Sequence, residues 1–524
     1  MSKSWWVLVL LIASTTAQAE WLEASSDHFV VYGDTNEQNL RRFAEQLERY
    51  DSAMSVISGT PRRKPSRSAR VTIYAVGSDS DLRKLAAQNG TESRNTAGFY
   101  IPAMAGPIAF VPKVTAARNG DDELDFNTII LLHEYAHHFA FLNSRFTAPR
   151  WYIEGSAEFF SSASFQGDGS VTLGRAAKHR SAELFALPDV TVTDLVDPEH
   201  YQKRRGGDQR YDAYYGRAWL LFHYLTFEPT RLQQRRAYIQ AMLTGKSSRQ
   251  AAEEAFGDLG KLNKELDAYM IRRSFKHVTL KGSVLTTGDI IVRSLSAGEA
   301  AIMPVVMRSR RGVGSKELAA EILAEARAIA TQFPADSAVL AALSEAEFDA
   351  DNYAAAVAAA DAALTVDPRN VSAHVQKVYA SFGIAEKAET AAGVDEARRA
   401  LLTLNSLEPN HPVPLVYFYR SFQVRGETVT ANAVAGLEQA AAVAPFAHDI
   451  SLMLAQQYLV DDKIAQARET LLPVAYNPHG GKRAEKLREL LVRLEGAEKI
   501  DAAAIADALR DLDKPESVPV RAAP

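Results

Sequence analysis

Cysteine is absent from all 524 residues. That excludes disulfides, so an exported form of the chain must draw its stability from burial. It also leaves His, Asp and Glu to build any metal site. A strong excess of one charge is missing too. With 59 basic and 64 acidic side chains the net charge is -5, which gives no reason to expect nucleic acid as a partner. The basic clusters at 61–70 (PRRKPSRSAR) and 202–207 (QKRRGG) sit among Pro, Ser and Gly and read as solvated loops. Beyond the first twenty residues no run is long and apolar enough to span a membrane.

What is present begins with MSKSWWVLVLLIASTTAQAE. Lys3 precedes an apolar run from Trp5 to Ala13, and Ala17-Gln18-Ala19 follows. This reads as a secretory signal peptide, 1–19, cut after Ala19. The expected mature chain is exported, periplasmic or extracellular, with no stable membrane span. Its length requires more than one core. Residues 20–119 are mixed. HFVVYG (28–33) and ARVTIYAV (69–76) are strand-like, and 35–57 between them carries Leu40, Phe43, Leu47 and Met54 at helical intervals. The Gly- and Pro-rich segment 97–112 suits an edge strand or hairpin. Residues 120–275 read as helical, and 276–316 as a connector or small β element.

Within the helical part lies LLHEYAHHFAFL (131–142). A helix apolar nearly all round is a buried helix, and buried imidazoles and carboxylates are costly unless satisfied. Residues four apart share a helix face, so His133 and His137 can grip one ion. Glu134, the next residue along, cannot sit on that ion but can reach a water held by it. This HExxH arrangement is that of zinc hydrolases, with the glutamate as general base. RWYIEGSAEFF (150–160) adds two carboxylates. Glu154 follows His137 by 17 residues and Glu158 follows Glu154 by four. Carboxylates at that spacing repel, so each needs its own partner. Glu154 as third zinc ligand and Glu158 as acceptor of a ligand histidine's outer N–H provide them. Three protein ligands leave the fourth position of a catalytic zinc open. His138 faces another way, and His223 suits a packed helical histidine.

His133-Glu134-x-x-His137 followed by Trp151-x-x-Glu154-Gly155-x-Ala157-Glu158 resembles the gluzincin metallopeptidases, which include thermolysin and the aminopeptidase N family. The resemblance covers about 120–275. It implies an α+β zincin-like metallopeptidase domain with Zn²⁺ on His133, His137 and Glu154, and Glu134 as catalytic base. YGRAWLLFHYL (215–225) resembles the segment that opens with the family's catalytic tyrosine, which implies that Tyr215 donates to the oxyanion. Tyr211 and Tyr214 are rivals. No Gly-x-Met-Glu-Asn segment precedes the zinc helix, so aminopeptidase specificity is unsupported, and the chain is closer to the bacterial peptidase-MA-like group. In gluzincins the strand at this position often pairs with an extended substrate, so 97–112 is a candidate for binding a peptide backbone by strand addition.

The remainder repeats. Pro334, Pro368, Pro409, Pro445 and Pro478 each divide helical runs, at spacings of 34, 41, 36 and 33 residues. A period near 34 marks paired-helix repeats. With Leu340, Leu343, Ala356 and Ala363 in the best unit, 317–497 resembles a degenerate, all-α tetratricopeptide array. The long spacing implies an insertion around 386–395. Residues 498–524 read as a tail. The combined expectation is an exported zinc metallopeptidase acting on a peptide or protein, with repeats that bind a protein partner. Two alternatives remain: a scaffold whose zinc domain is catalytically quiet, and a zinc hydrolase of cell-wall amides.

Overall fold

The computed structural model describes residues 21–88, 96–117, 124–143, 148–207, 210–388, 391–477, 480–496 and 502–512. The expected signal peptide, Pro478 and the segment 513–524 lie outside the described residues.

Among the described residues, nine strands form two sheets. They are β1 (Trp21–Ser25), β2 (Phe29–Asp34), β3 (Val71–Ala75), β4 (Phe99–Ile101), β5 (Ile108–Val111), β6 (Ser164–Phe165), β7 (Val171–Leu173), β8 (Val278–Leu280) and β9 (Ile291–Ser294). The larger sheet runs β4-β5-β3-β2-β1-β9 and the smaller β6-β7-β8. In the larger, β2, β3 and β5 are parallel, while β4, β1 and β9 are antiparallel to their neighbours. β4 therefore forms one edge, as the composition of 97–112 suggests.

The helix Glu37–Ser58 links β2 to β3. Asn36 accepts from the Asn39 N–H at its start, and Gly59, at φ 67°, closes it in a left-handed conformation that favours glycine. Its Leu40, Phe43, Leu47 and Met54 are buried. With Phe29, Val31 and Ile73 of the sheet they form a core that also takes in Leu132, Tyr135 and Phe139 of the helix Phe126–Asn143. Each such side chain, fully buried, stabilises by about 1.5–3 kcal/mol.

The opposite face of the sheet is covered from further along the chain. Tyr74, Phe99 and Phe110 pack with Leu82 and Leu85 of helix Asp79–Ala87 and with Met303 and Met307 of helix Ala297–Arg311. The segment 276–316, a connector or small β element by sequence, thus contributes strands to both sheets and a helix to the core. Its role is weakly written because β9 is an edge strand with mostly exposed side chains.

From 297 onward the described residues form a helical array, with hairpins such as Ser337–Asp349 with Tyr353–Val366, Pro412–Val424 with Ala431–Val443, and His448–Val460 with Ile464–Ala475. Ala356, Ala360 and Ala363 are fully buried where paired helices meet. Ser344 donates its hydroxyl to the Ala356 carbonyl at 2.7 Å. Asp351 and Asp462 take left-handed backbone conformations in equivalent turns. The long repeat spacing is absorbed largely by longer helices, Val371–Ala388 and Ala391–Leu407. Residues 502–512, expected to belong to the tail, form a helix whose Ile505, Ala506 and Leu509 pack against Leu452 and Leu459. Its apolar face needs that partner, which local sequence does not reveal.

Candidate metal centre

Three helices bring the site together: the histidine helix Phe126–Asn143, the glutamate helix Arg150–Ser161 and the tyrosine helix Tyr214–Phe227. Asp125 opens the first by accepting from the backbone N–H of Thr128 at 3.1 Å. The histidine helix is buried through its middle, and its ends are more open: Phe126 and Leu142 are exposed. Full burial all round, expected from composition, therefore holds only for the central turns. The glutamate and tyrosine helices approach closely. A Cβ on Gly155 would stand 2.4 Å from the Ala218 carbonyl oxygen, so glycine permits this approach.

The sequence pairs His133 with His137 one turn apart, and the structure places Glu154 against both. The two Nε2 atoms are 3.0 Å apart, and Glu154 Oε2 lies 3.3 Å from that of His133 and 3.4 Å from that of His137. All three side chains are buried. These separations match the edge of a tetrahedron with metal–ligand bonds of about 2.0–2.1 Å, which is about 3.3 Å. Two imidazoles and one carboxylate are a donor set that suits zinc. The residues present therefore fit the metal.

Glu158 lies behind the cluster. Its Oε1 is 3.1 Å from His133 Nδ1, its Oε2 is 2.7 Å from His179 Nε2, and Arg180 Nη2 donates to its Oε1 at 2.6 Å. Burial works against protonation of His133, yet the carboxylates of Glu158 and Glu154 outweigh it and push the imidazole up to about 10. Burial holds His137 below its ordinary value. Burial raises Glu158, but Arg180 and His133 hold its carboxyl well below the usual carboxylate range. Glu134, one residue along, is only partly buried.

Arg180 also donates to Glu183 at 2.6 Å, and Glu183 accepts from the Gly216 N–H at 3.0 Å, inside the tyrosine helix. The polar network therefore ties Glu158 to that helix. His179 and Arg180 carry no motif spacing, and no local signal identifies them. Of the three tyrosines, Tyr211 is exposed at 42% and bonds Glu183 and Arg180. The buried Tyr214 ring packs beside Tyr201. The ring of Tyr215 lies 6.5 Å from that of His133.

The other histidines have structural places. His138 Nδ1 lies 2.6 Å from the Tyr100 hydroxyl, and burial brings the imidazole down to about 3. His223 bonds Tyr269 and the carbonyls of Gly174 and Lys276 inside the core. A second group, His28, Glu48 and Asp51, also offers metal-type donors. There the chain supplies its own cation: Arg62 Nε donates to Asp51 at 2.6 Å and its Nη2 donates to Glu48. That group is a satisfied ion-pair network.

No protein-family model matches the chain, and no curated protein matches it. Among solved structures, a thermophilic TPR protein from Thermus thermophilus is similar over 38% of this chain and 99% of its own length, with 17% identity and a TM-score of 0.31. The helical repeats of this chain rest on their own hairpin geometry.

Proposed function

We propose that the protein is an exported, zinc-dependent hydrolase of peptide bonds whose helical repeats bind a protein or peptide. The observation that carries this reading is the convergence of His133, His137 and Glu154 at tetrahedral separations. His133, His137 and Glu154 would hold the metal. Zinc, when bound, supplies a Lewis acid that polarises an amide carbonyl and acidifies water.

The protein's residues do the rest. The Glu134 carboxylate takes a proton from the attacking water and passes it to the leaving amine nitrogen. Tyr215 donates its O–H to the oxygen that gains charge. Glu158 Oε1, 3.1 Å from His133 Nδ1, holds that ring with its Nε2 toward Glu154 and leaves Nε2 as the ligand atom. β4, at the sheet edge, offers its outer backbone to an extended peptide. The gluzincin likeness of HExxH and W-x-x-E-G-x-A-E supports the same assignment, and the paired-helix array gives a surface for a protein partner.

The test is metal content together with hydrolysis. Purified residues 20–524 are expected to hold about one zinc per chain, with Glu154→Ala and His137→Ala losing it. Glu134→Gln is expected to keep zinc and lose hydrolysis in a screen of proteins, peptides and wall fragments. Zinc retained with no hydrolysis by the wild type would favour the scaffold reading. Wild-type protein without zinc after reconstitution would sink the metal assignment.

A further inference from the structure

Three arginines stand buried or half-buried around the site, and they differ in their partners. Arg180 is paired with Glu158 and Glu183. Arg217 donates to Asp267 at 2.7 Å, to Asn263 at 3.0 Å and to the Val190 carbonyl at 2.9 Å. Arg150 has no carboxylate partner among the described residues. It opens the glutamate helix one turn before Glu154, on the same face. Its Nε is closed off from solvent with no hydrogen-bond partner among the described residues. The guanidinium carbon lies 4.4 Å from the centre of the Tyr214 ring and 5.6 Å from that of Tyr215. Ring faces of this kind stabilise a cation by about 0.5–2 kcal/mol, less than a carboxylate partner would at a desolvated position.

Among the described residues, the one side-chain hydrogen bond of Arg150 is directional. Its Nη2 donates to the hydroxyl oxygen of Tyr215 at 3.4 Å. A phenol has one O–H to donate. When its oxygen accepts from the guanidinium, that O–H is left for another acceptor. The Tyr215 ring is also braced on a second side, where Arg180 lies 5.1 Å from its centre. The His133 ring of the cluster lies 6.5 Å from the Tyr215 ring.

We propose that Arg150 is the positioning residue of Tyr215. By donating to the phenol oxygen it turns the tyrosine O–H toward the His133, His137 and Glu154 cluster, where the carbonyl oxygen of a substrate gains charge. This rests on reading the site as a zinc hydrolase. It also separates Tyr215 from Tyr211 and Tyr214, because Arg150 donates to Tyr215 and meets Tyr214 only over its ring face, while Tyr211 already gives its O–H to Glu183.

The test uses the zinc-loaded full chain and a phosphinic peptide, whose tetrahedral oxygens imitate a hydrated amide. Affinity is measured by calorimetry, independent of turnover, for wild type, Tyr215→Phe, Arg150→Met, Arg150→Lys and the Tyr215→Phe/Arg150→Met double variant. Zinc content is expected to be unchanged throughout. Tyr215→Phe is expected to weaken the probe by about 10²-fold, the scale of one oxyanion donor. Arg150→Met should lose a comparable factor, the double variant should be no weaker than Tyr215→Phe alone, and Arg150→Lys should recover part of the loss. If Arg150→Met fails to fold, an intermediate loss in Arg150→Lys that disappears in the Tyr215→Phe background carries the test. Losses that multiply in the double variant would overturn the proposal, as would an Arg150→Met protein that binds like wild type. A loss confined to probes with a free C-terminal carboxylate, absent for the C-terminal amide, would also overturn it and make Arg150 a carboxylate receptor. Failure of the zinc-loaded wild type to bind the probe at all would remove the zinc-hydrolase reading itself, and this proposal with it.

Discussion

Glu158 shows how one buried carboxylate is kept charged. Three cationic or hydrogen-bonding neighbours, His133, His179 and Arg180, converge on its two oxygens. Removing its charge would leave Arg180 and His133 competing for a weaker acceptor. Glu158→Gln is therefore expected to keep the fold and weaken zinc binding by about 10–100-fold, the usual effect of losing a partner behind a metal ligand. Competition with a chromophoric chelator measures it, and unchanged affinity would show that Glu158 serves the fold alone. The histidines and Glu134 were legible in sequence because one helix turn joins them. Glu154 and Glu158 were legible through a second local motif. Arg180 and His179 were not, because only packing brings residues 21 and 22 positions after Glu158 back onto it.

Two elements invite tests of their own. β4 is short, stands at the edge of the larger sheet and carries Tyr100, whose hydroxyl is bonded to His138. If its outer backbone pairs with substrate, Tyr100→Pro, at the residue whose N–H points away from β5, removes a donor from that edge and raises KM while leaving zinc content unchanged. Unchanged steady-state kinetics would exclude strand addition. The helix Glu37–Ser58 carries Glu48, whose carboxylate burial would raise but whose bonds to His28 and Ser26 bring down to about 2. Its folded value lies below its ordinary one. Its contribution to stability is therefore fully present above about pH 4.5 and fades as pH falls toward 2. At pH 7 that contribution is on the order of 2–3 kcal/mol. Glu48→Gln should melt well below wild type at pH 7, with a gap that narrows progressively as pH falls below 4.5. Melting curves in parallel buffers decide it, and a gap independent of pH would contradict the assignment.

At the scale of the whole molecule, the repeats are not an appended module. The helix Ala297–Arg311, which leads into them, closes one face of the larger sheet with Met303 and Met307 and packs on Ile322 and Leu323 through Ile302 and Val305. Further along, Glu408 accepts from the backbone N–H of Ser68 at 2.9 Å and from its hydroxyl at 2.7 Å, and Met104 and Ala105 pack into the repeat core. Phe446 lies 5.2 Å from His138, ring to ring, on the histidine helix. The array therefore reaches both sides of the N-terminal part. A chain truncated after residue 296 would expose Tyr74, Phe99 and Phe110 to water, and it is expected to be insoluble or rapidly proteolysed. Soluble 20–296 with a cooperative melt would show that the sheet closes without the repeats.

Several features followed from the sequence by itself. Helical and strand periodicity, the HExxH turn, the carboxylate pair at i and i+4 and the repeat period all depend on residues close together in the chain, and local geometry dictates what such neighbours can do. Tertiary structure decided what lies behind and around them. It brought Glu154 to both imidazoles, Arg180 to Glu158, Arg150 to Tyr215 and the helix Ala297–Arg311 to the sheet. Those contacts join residues far apart in sequence through packing, and the pattern along one chain does not record which buried faces will meet.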